Sequence, residues 1–335
     1  MRVSEKTKGR LLLCAILLCG LVVGFFGHEL LRSNPAQSFW EEFRPVRISG
    51  NKFSLVRPLV AYETPEASAL HEYASLKRLV QDAIDTHQKT GVIGDVSVYY
   101  RNLSTGRWIG VSQGTTYHPA SLLKIPVMIA YFKEAESDPS LLAKRVVYKP
   151  TTGGNAFETP STLMQEKTYT IDQLIEHMIV DSDNGATFTL IKLINEDVLK
   201  EVYTDIGIRD PGDNSAAYQI STKTYALFFR ILYNATYLSP AYSQKALELL
   251  SRTTYRDGLV AEIPTSVVVA HKFGEHIGEG STAEGVELHD CGIVYYPKDD
   301  YLLCVMTRAT DLAPAESLIQ DISKTVYDAE SPETR

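Results

Sequence analysis

From Pro65 onward the apolar positions follow a helical period, then an alternating one, then a helical one again. In 67–88, Leu70, Tyr73, Leu76, Leu79, Val80 and Ile84 fall on one side of a helix. Val92–Arg101 reads as a strand, Ser104-Thr-Gly106 as a turn and Arg107–Ser112 as the partner strand. The apolar run Leu122–Phe132 predicts the next helix, and Val146–Tyr148 is at most a short strand. Thr170 suits the N-cap of a helix over Ile171–Val180. Asp183 or Asn184 suits the start of another that carries Phe188, Leu190, Ile191 and Leu193. Further helices are predicted at 196–204, 221–234 and 239–251. The chain then returns to strands at Ser266–Lys272, Glu287–Tyr296 and Tyr301–Thr307, the last two forming a hairpin around Pro297–Asp300. A helix over Pro314–Val326 closes the chain. This order implies an α+β fold, with an antiparallel β-sheet built from both chain ends, flanked by helices, and an all-helical subdomain inserted between.

The first sixty residues follow a different pattern. Residues 1–10 form a basic tail with Arg2, Lys6, Lys8 and Arg10 against Glu5. Leu11–Gly27 carries no charge and sits at the short end of the roughly 17–25 residues that span a bilayer. No Ala-x-Ala site follows it, and Leu precedes both Cys14 and Cys19, so no lipobox is present. We read 11–27 as an uncleaved transmembrane anchor, with the basic tail cytoplasmic and the rest in the cell envelope. Residues 28–59 then form a tether and entry segment, and 60–330 the main domain, with Ser54–Tyr62 expected to pack on its edge.

Composition narrows the function. Apolar residues make up 44% and charged ones 22%, enough for a real core, and the net charge of −8 argues against nucleic-acid binding. The eight histidines are scattered, and no H-E-x-x-H or C-x-x-C is present, so no metal or cofactor is expected. Cys291 and Cys304 flank the predicted hairpin, and the sequence leaves open whether they are bonded or are two buried thiols.

Three short motifs carry candidate chemistry. Ser121-Leu-Leu-Lys124 opens the apolar helix. A serine three residues before a lysine shares its helix face, and a lysine held in apolar surroundings loses its proton more easily. The pair is a compact activated nucleophile, or else an N-terminal helix serine with a surface lysine. Ser182-Asp183-Asn184 sits between two predicted helices. It offers a hydroxyl to relay a proton and an amide to bind a carbonyl, or merely a capping turn. His271-Lys272-Phe273-Gly274 ends a predicted strand and enters a Gly-rich loop at 274–281. There a lysine supplies positive charge, and a glycine lets a ligand approach the backbone.

In this order the chain resembles the penicillin-recognising serine hydrolases, and class A β-lactamases most closely, whose signatures are Ser-x-x-Lys, Ser-Asp-Asn and Lys-Thr-Gly. The resemblance covers roughly residues 60 to 328. It implies Ser121 as the acylated nucleophile and Lys124 as its base or part of the proton network. It implies Ser182 as proton relay to the leaving nitrogen, Asn184 as holder of the substrate amide, and Lys272 as electrostatic support for Ser182. The backbone N–H groups of Ser121 and Glu275 would form the oxyanion hole. The substrates implied are β-lactams or related amides, or alternatively peptides of the cell wall.

Two departures stand out. Phe273 replaces the hydroxyl residue that would help bind a substrate carboxylate, and Glu275 adds negative charge beside it. The stretch Gly207–Tyr218, where class A enzymes carry a glutamate that activates the deacylating water, has no glutamate. Glu166 lies before Ser182 and does not match, while Asp210 and Asp213 are shorter substitutes. Slow deacylation is therefore expected. A D,D-peptidase, or a catalytically weak domain that binds a ligand or partner, are the alternatives.

Overall fold

Alternation along the strands sends neighbouring side chains into two different cores, and the architecture follows from that. The structure is a computed structural model that describes residues 46–47, 53–61, 74–149, 167–212, 217–277 and 285–330. The expected anchor, and the expected start of the first helix at 67–73, lie outside them. Among the described residues no helix is long and apolar enough to cross a membrane.

Two short strands, β1 (Val46–Arg47) and β2 (Leu59–Ala61), pair antiparallel. Between them Leu55 and Val56 are buried, and Leu55 N donates to Gln244 Oε1 at 2.7 Å, so this segment does pack on the domain. Helix α1 (Ala74–Gln88) precedes β3 (Ile93–Asn102), β4 (Trp108–Val111) and β5 (Thr116–Tyr117). A 3₁₀ turn over Ala120–Leu123 runs into α2 (Lys124–Ser137). The strand expected at 146–148 is β6 (Arg145–Tyr148), and it pairs with β7 (Lys167–Thr170). Thr170 caps α3 (Ile171–Val180) in a full capping box with Gln173. Asp183, rather than Asn184, caps α4 (Asn184–Ile191) by accepting from Ala186 N. Next come α5 (Glu196–Ile206), β8 (Ile220–Ser221), α6 (Thr222–Asn234) and α7 (Pro240–Ser251). The chain ends in β9 (Val269–Ile277), β10 (Val286–Val294), β11 (Tyr301–Ala309) and α8 (Leu312–Glu330).

The main sheet is antiparallel with order β4-β3-β11-β10-β9, so the two early strands lie beside the three late ones and the sheet is built from both chain ends, as expected. Val98 and Tyr100 of β3, with Leu303 and Val305 of β11, face a core completed by Leu76, Val80 and Ile84 of α1 and by Leu318, Ile319 and Ile322 of α8. The alternate residues Tyr99, Leu302, Cys304 and Met306 face the helical block, against Leu122, Ile125, Met128 and Phe229. Helices on both faces explain why the strands lack a polar side.

One strand differs from expectation. It begins at Val269 rather than Ser266 and continues to Ile277, so Lys272-Phe273-Gly274 lies within a strand and not at its end. Every residue of β9 has a partner on β10, and that ladder outweighs the weak strand preference of Gly274 and Glu275. Cys291 and Cys304 are opposed in register, fully buried and joined by a disulfide. Reduction, or the double variant Cys291→Ala/Cys304→Ala, is expected to cost about 2–4 kcal/mol in urea unfolding, and reductant should then leave the double variant unchanged.

Candidate active site

The site forms where β9 meets the turn before α2 and the corner between α3 and α4. Ser121 lies in the 3₁₀ turn and Lys124 opens α2, so the expected helical spacing becomes a tighter one. At 3.0 residues per turn, positions three apart eclipse, which stacks serine and lysine side by side. Both are buried, under Leu122 and Ile125 of the helical core. Ala120, just before the serine, has φ of +48°. A non-glycine residue held there costs roughly 1–2 kcal/mol.

Ser182 follows α3 in the left-handed region, φ +57°, where helix ends usually place glycine. Asp183 is tied by Ala186 N at 2.6 Å and by the Tyr148 hydroxyl at 3.2 Å. This corner aims Ser182 at two lysines. Lys124 Nζ donates to Ser182 Oγ at 3.0 Å, to the Ser182 carbonyl and to Asn184 Oδ1 at 2.9 Å. Lys272 Nζ lies 2.9 Å from the same Oγ and 3.0 Å from the Phe273 carbonyl. Burial first, and then the Lys124 amine, hold the Lys272 amine well below the usual lysine range, against an opposing pull from Asp290.

Of the four expected catalytic residues, Lys124, Ser182 and Lys272 are thus bonded to one another, and Ser121 stands three residues before Lys124 in the adjoining turn. Asn184 joins them through its amide oxygen. Gly274 lies on the same face of β9 as Lys272, and its bare Cα lets the nucleophile turn approach: an added Cβ would stand 2.8 Å from Pro119 O and 3.2 Å from Leu122 N. Phe273 and Glu275 alternate to the other face. The Phe273 ring stacks on Tyr255 at 4.1 Å between centroids, yet still lies 4.2 Å from Lys272 Nζ. Glu275 is buried, opposite Leu288 of β10. Asp210 accepts from Gly212 N at 3.1 Å within its own turn, while Asp213 and Glu166 lie outside the described residues.

The sequence reading missed several partners. Tyr255 comes from the loop after α7 and carries no local motif. Asp290 is fully buried beneath β9, where it meets His271 Nδ1 at 3.0 Å and Leu259 N at 2.9 Å. Only an acid inside an apolar strand pattern hinted at it.

The sequence model of the β-lactamase enzyme family matches residues 75–329. The chain belongs to that family. Its membership makes it a β-lactamase-type serine hydrolase. No curated protein matches the chain. Among solved structures, a mutant of PBP-A, determined as an acyl-enzyme complex with penicillin G, is 24% identical over 76% of this chain and 96% of its own, with a TM-score of 0.62. A β-lactamase from Sphaerobacter thermophilus is 22% identical over 75% and 97%, with a TM-score of 0.62. A class A β-lactamase from Mycobacterium abscessus is 18% identical over 75% and 98%, with a TM-score of 0.63. At these identities the likeness is one of fold, and it matches the expected α+β architecture.

The β-lactamase-type site depends on close backbone approach at Gly274. Gly274→Ala should lose about 1–3 kcal/mol in urea unfolding, because the added Cβ would meet the Pro119 carbonyl, a backbone atom that cannot swing aside, as well as the Leu122 side chain. Gly114→Ala, with nothing within 4 Å of the added Cβ, should stay within about 0.5 kcal/mol of the parent.

Proposed function

We propose that the domain acylates itself on Ser121 when it meets a β-lactam or a related amide. The observation that carries this is the convergence of two buried amines on Ser182 Oγ, at 2.9 and 3.0 Å, one of them three residues after Ser121. The Ser121 proton passes to Lys124 or into the network that Lys124 shares with Ser182 and Lys272, where burial holds the Lys272 amine well below the usual lysine range. Ser182 passes a proton to the leaving nitrogen, and Lys272 steadies Ser182 electrostatically. Asn184, its oxygen held by Lys124, presents its NH₂ group to the substrate carbonyl. The backbone N–H groups of Ser121 and Glu275 receive the charge that develops on the attacked oxygen.

Substrate carboxylate recognition is weak in this reading, since Phe273 replaces a hydroxyl and its ring stacks on Tyr255. Hydrolysis of the adduct is slow, because Gly207–Tyr218 has no glutamate and Asp210 is engaged in its own turn. A long-lived adduct suits a D,D-peptidase acting on wall peptides better than an antibiotic-destroying enzyme. The penicillin G acyl-enzyme of the PBP-A mutant is consistent with such chemistry on this fold. In this proposal Leu11–Gly27 anchors the domain to a membrane and holds it in the cell envelope.

Intact-mass spectrometry tests the reading. Penicillin G should add one penicilloyl mass to the wild type and none to Ser121→Ala. The adduct should persist for many minutes, and the methyl ester of penicillin G should acylate within about tenfold of the acid's rate. Absence of any adduct from unhydrolysed penicillin would remove the proposal in favour of a binding role.

A further inference from the structure

The turn that carries Ser121 is held from below by a pair of histidines. His118 and His276 stack with ring centroids 4.1 Å apart and an interplanar angle of 27°. His118 lies in the loop entering the nucleophile turn. His276 lies in β9 directly after Glu275, on the face shared with Lys272 and Gly274. The stack therefore joins the two segments whose N–H groups, on the reading above, form the oxyanion hole.

His118 does a second thing. Its Nδ1 accepts from the backbone N–H of Ala120 at 3.1 Å. Ala120 is the left-handed residue that sets the direction of Ser121. An imidazole nitrogen accepts only while it lacks a proton. Neutral His118, protonated on Nε2, can make this bond, and imidazolium cannot, because two N–H groups would then face each other.

The surroundings keep His118 in place and favour the neutral ring. Its backbone N donates to Glu287 Oε2 at 2.8 Å, and its carbonyl accepts from His289 Nε2 at 3.0 Å, both from β10. Glu287 is anchored in turn by Arg308 of β11, at 2.6 Å, which also holds Asp95 of β3 and the Thr116 carbonyl. Burial, then His276, push the His118 pKa below the ordinary value, with His289 acting the same way and the Glu287 carboxylate opposing. His118 and His276 are both half-buried, so water can still deliver a proton.

We propose that His118 is a positioning residue for Ser121: as a neutral acceptor it holds Ala120 in its left-handed conformation, braced by His276, and its protonation releases the nucleophile turn. No bond to substrate is involved. The proposal rests on Ser121 as the nucleophile, so its test includes a readout independent of acylation. The sign follows from the hydrogen bond. Acylation should be intact while His118 is neutral and fall as pH drops through its pKa. Because the neighbours lower that pKa, the midpoint of the fall should lie below the ordinary imidazole value of about 6.5.

Three variants and one titration decide the matter. His118→Asn keeps an acceptor two residues before Ala120 N and cannot titrate, so it should acylate within about threefold of wild type near neutrality and lose the acid limb. His118→Phe keeps the stack and loses the acceptor, so it should acylate about tenfold more slowly at every pH. His276→Phe keeps the stack and removes a like charge, so the acid limb should move to higher pH. In the full-length protein, the Ala120 and Ser121 amide resonances should follow the His118 ring titration, and the neutral ring should carry its proton on Nε2. An acid limb unchanged in His118→Asn, amides that ignore the His118 titration, or a neutral ring protonated on Nδ1 would each overturn the proposal. Should the wild type form no adduct, the acylation reading fails, while the amide titration still judges His118.

Discussion

Two buried amines share one hydroxyl, and most of the site's geometry depends on that arrangement. Nitrogens no more than 3.0 Å from one oxygen are at most about 6 Å apart, and two full charges there repel by ~3 kcal/mol at an effective dielectric of 20. Desolvation adds to the cost of each charge. The lowest-energy state therefore keeps one amine neutral. A hydroxyl has a single proton to give, so Ser182 can accept from an ammonium on one side and donate to a free amine on the other. That chain of donors points one way at a time, which is what moving a proton requires. It also ties together α2, the corner after α3 and strand β9. The helical block is thereby joined to the sheet through polar contacts as well as through the apolar layer around Leu122 and Ile129.

The same corner shows how the fold sets aside local stability for position. Ser182 occupies a left-handed position at the end of α3, where glycine would relieve the backbone. Glycine there would have no hydroxyl to share. The strain is contained by strong anchors on either side: Asp181 N bonds to His177 O, and Asp183 caps α4 while holding the Tyr148 hydroxyl. Ala120 repeats the pattern before Ser121. Strain at both ends of a reactive constellation, each held by neighbouring hydrogen bonds, is the usual form of preorganisation.

Much of this could be read from the chain. The helical periods, the Thr170 cap and the return of three strands after a helical block place the three motifs on the right kinds of element, because apolar spacing and capping are local. What escaped the sequence depends on partners far along the chain. The 3₁₀ start of α2 reflects the approach of Gly274, which lies 153 positions beyond Ser121. The continuation of β9 past Gly274 comes from its ladder with β10, not from the residues themselves. The bond between Cys291 and Cys304 follows from register, which spacing alone left open. His118 and His276 have no motif. They meet only because the turn before α2 lies across the edge of the sheet.

Attack on a substrate and release of the product place opposite demands on such a site. If Ser121 attacks, its proton needs a free amine within reach of the network, and the burial of Lys272 beside Lys124 and Ser182 supplies one. Release by water needs a further base on the acyl carbonyl, aimed at a water. Both amines are already committed to Ser182, and Lys124 to Asn184 as well. Asp210 spends one carboxylate oxygen on Gly212 N, in a turn whose charge acts on Tyr203 and Tyr218. Tyr203, raised well above the ordinary phenol range chiefly by burial, is no base at neutral pH. Among the described residues, then, the groups best placed to take a proton are those that prepare the attack. On the proposed acyl-enzyme reading, an arrangement built this way favours forming the acyl bond over breaking it.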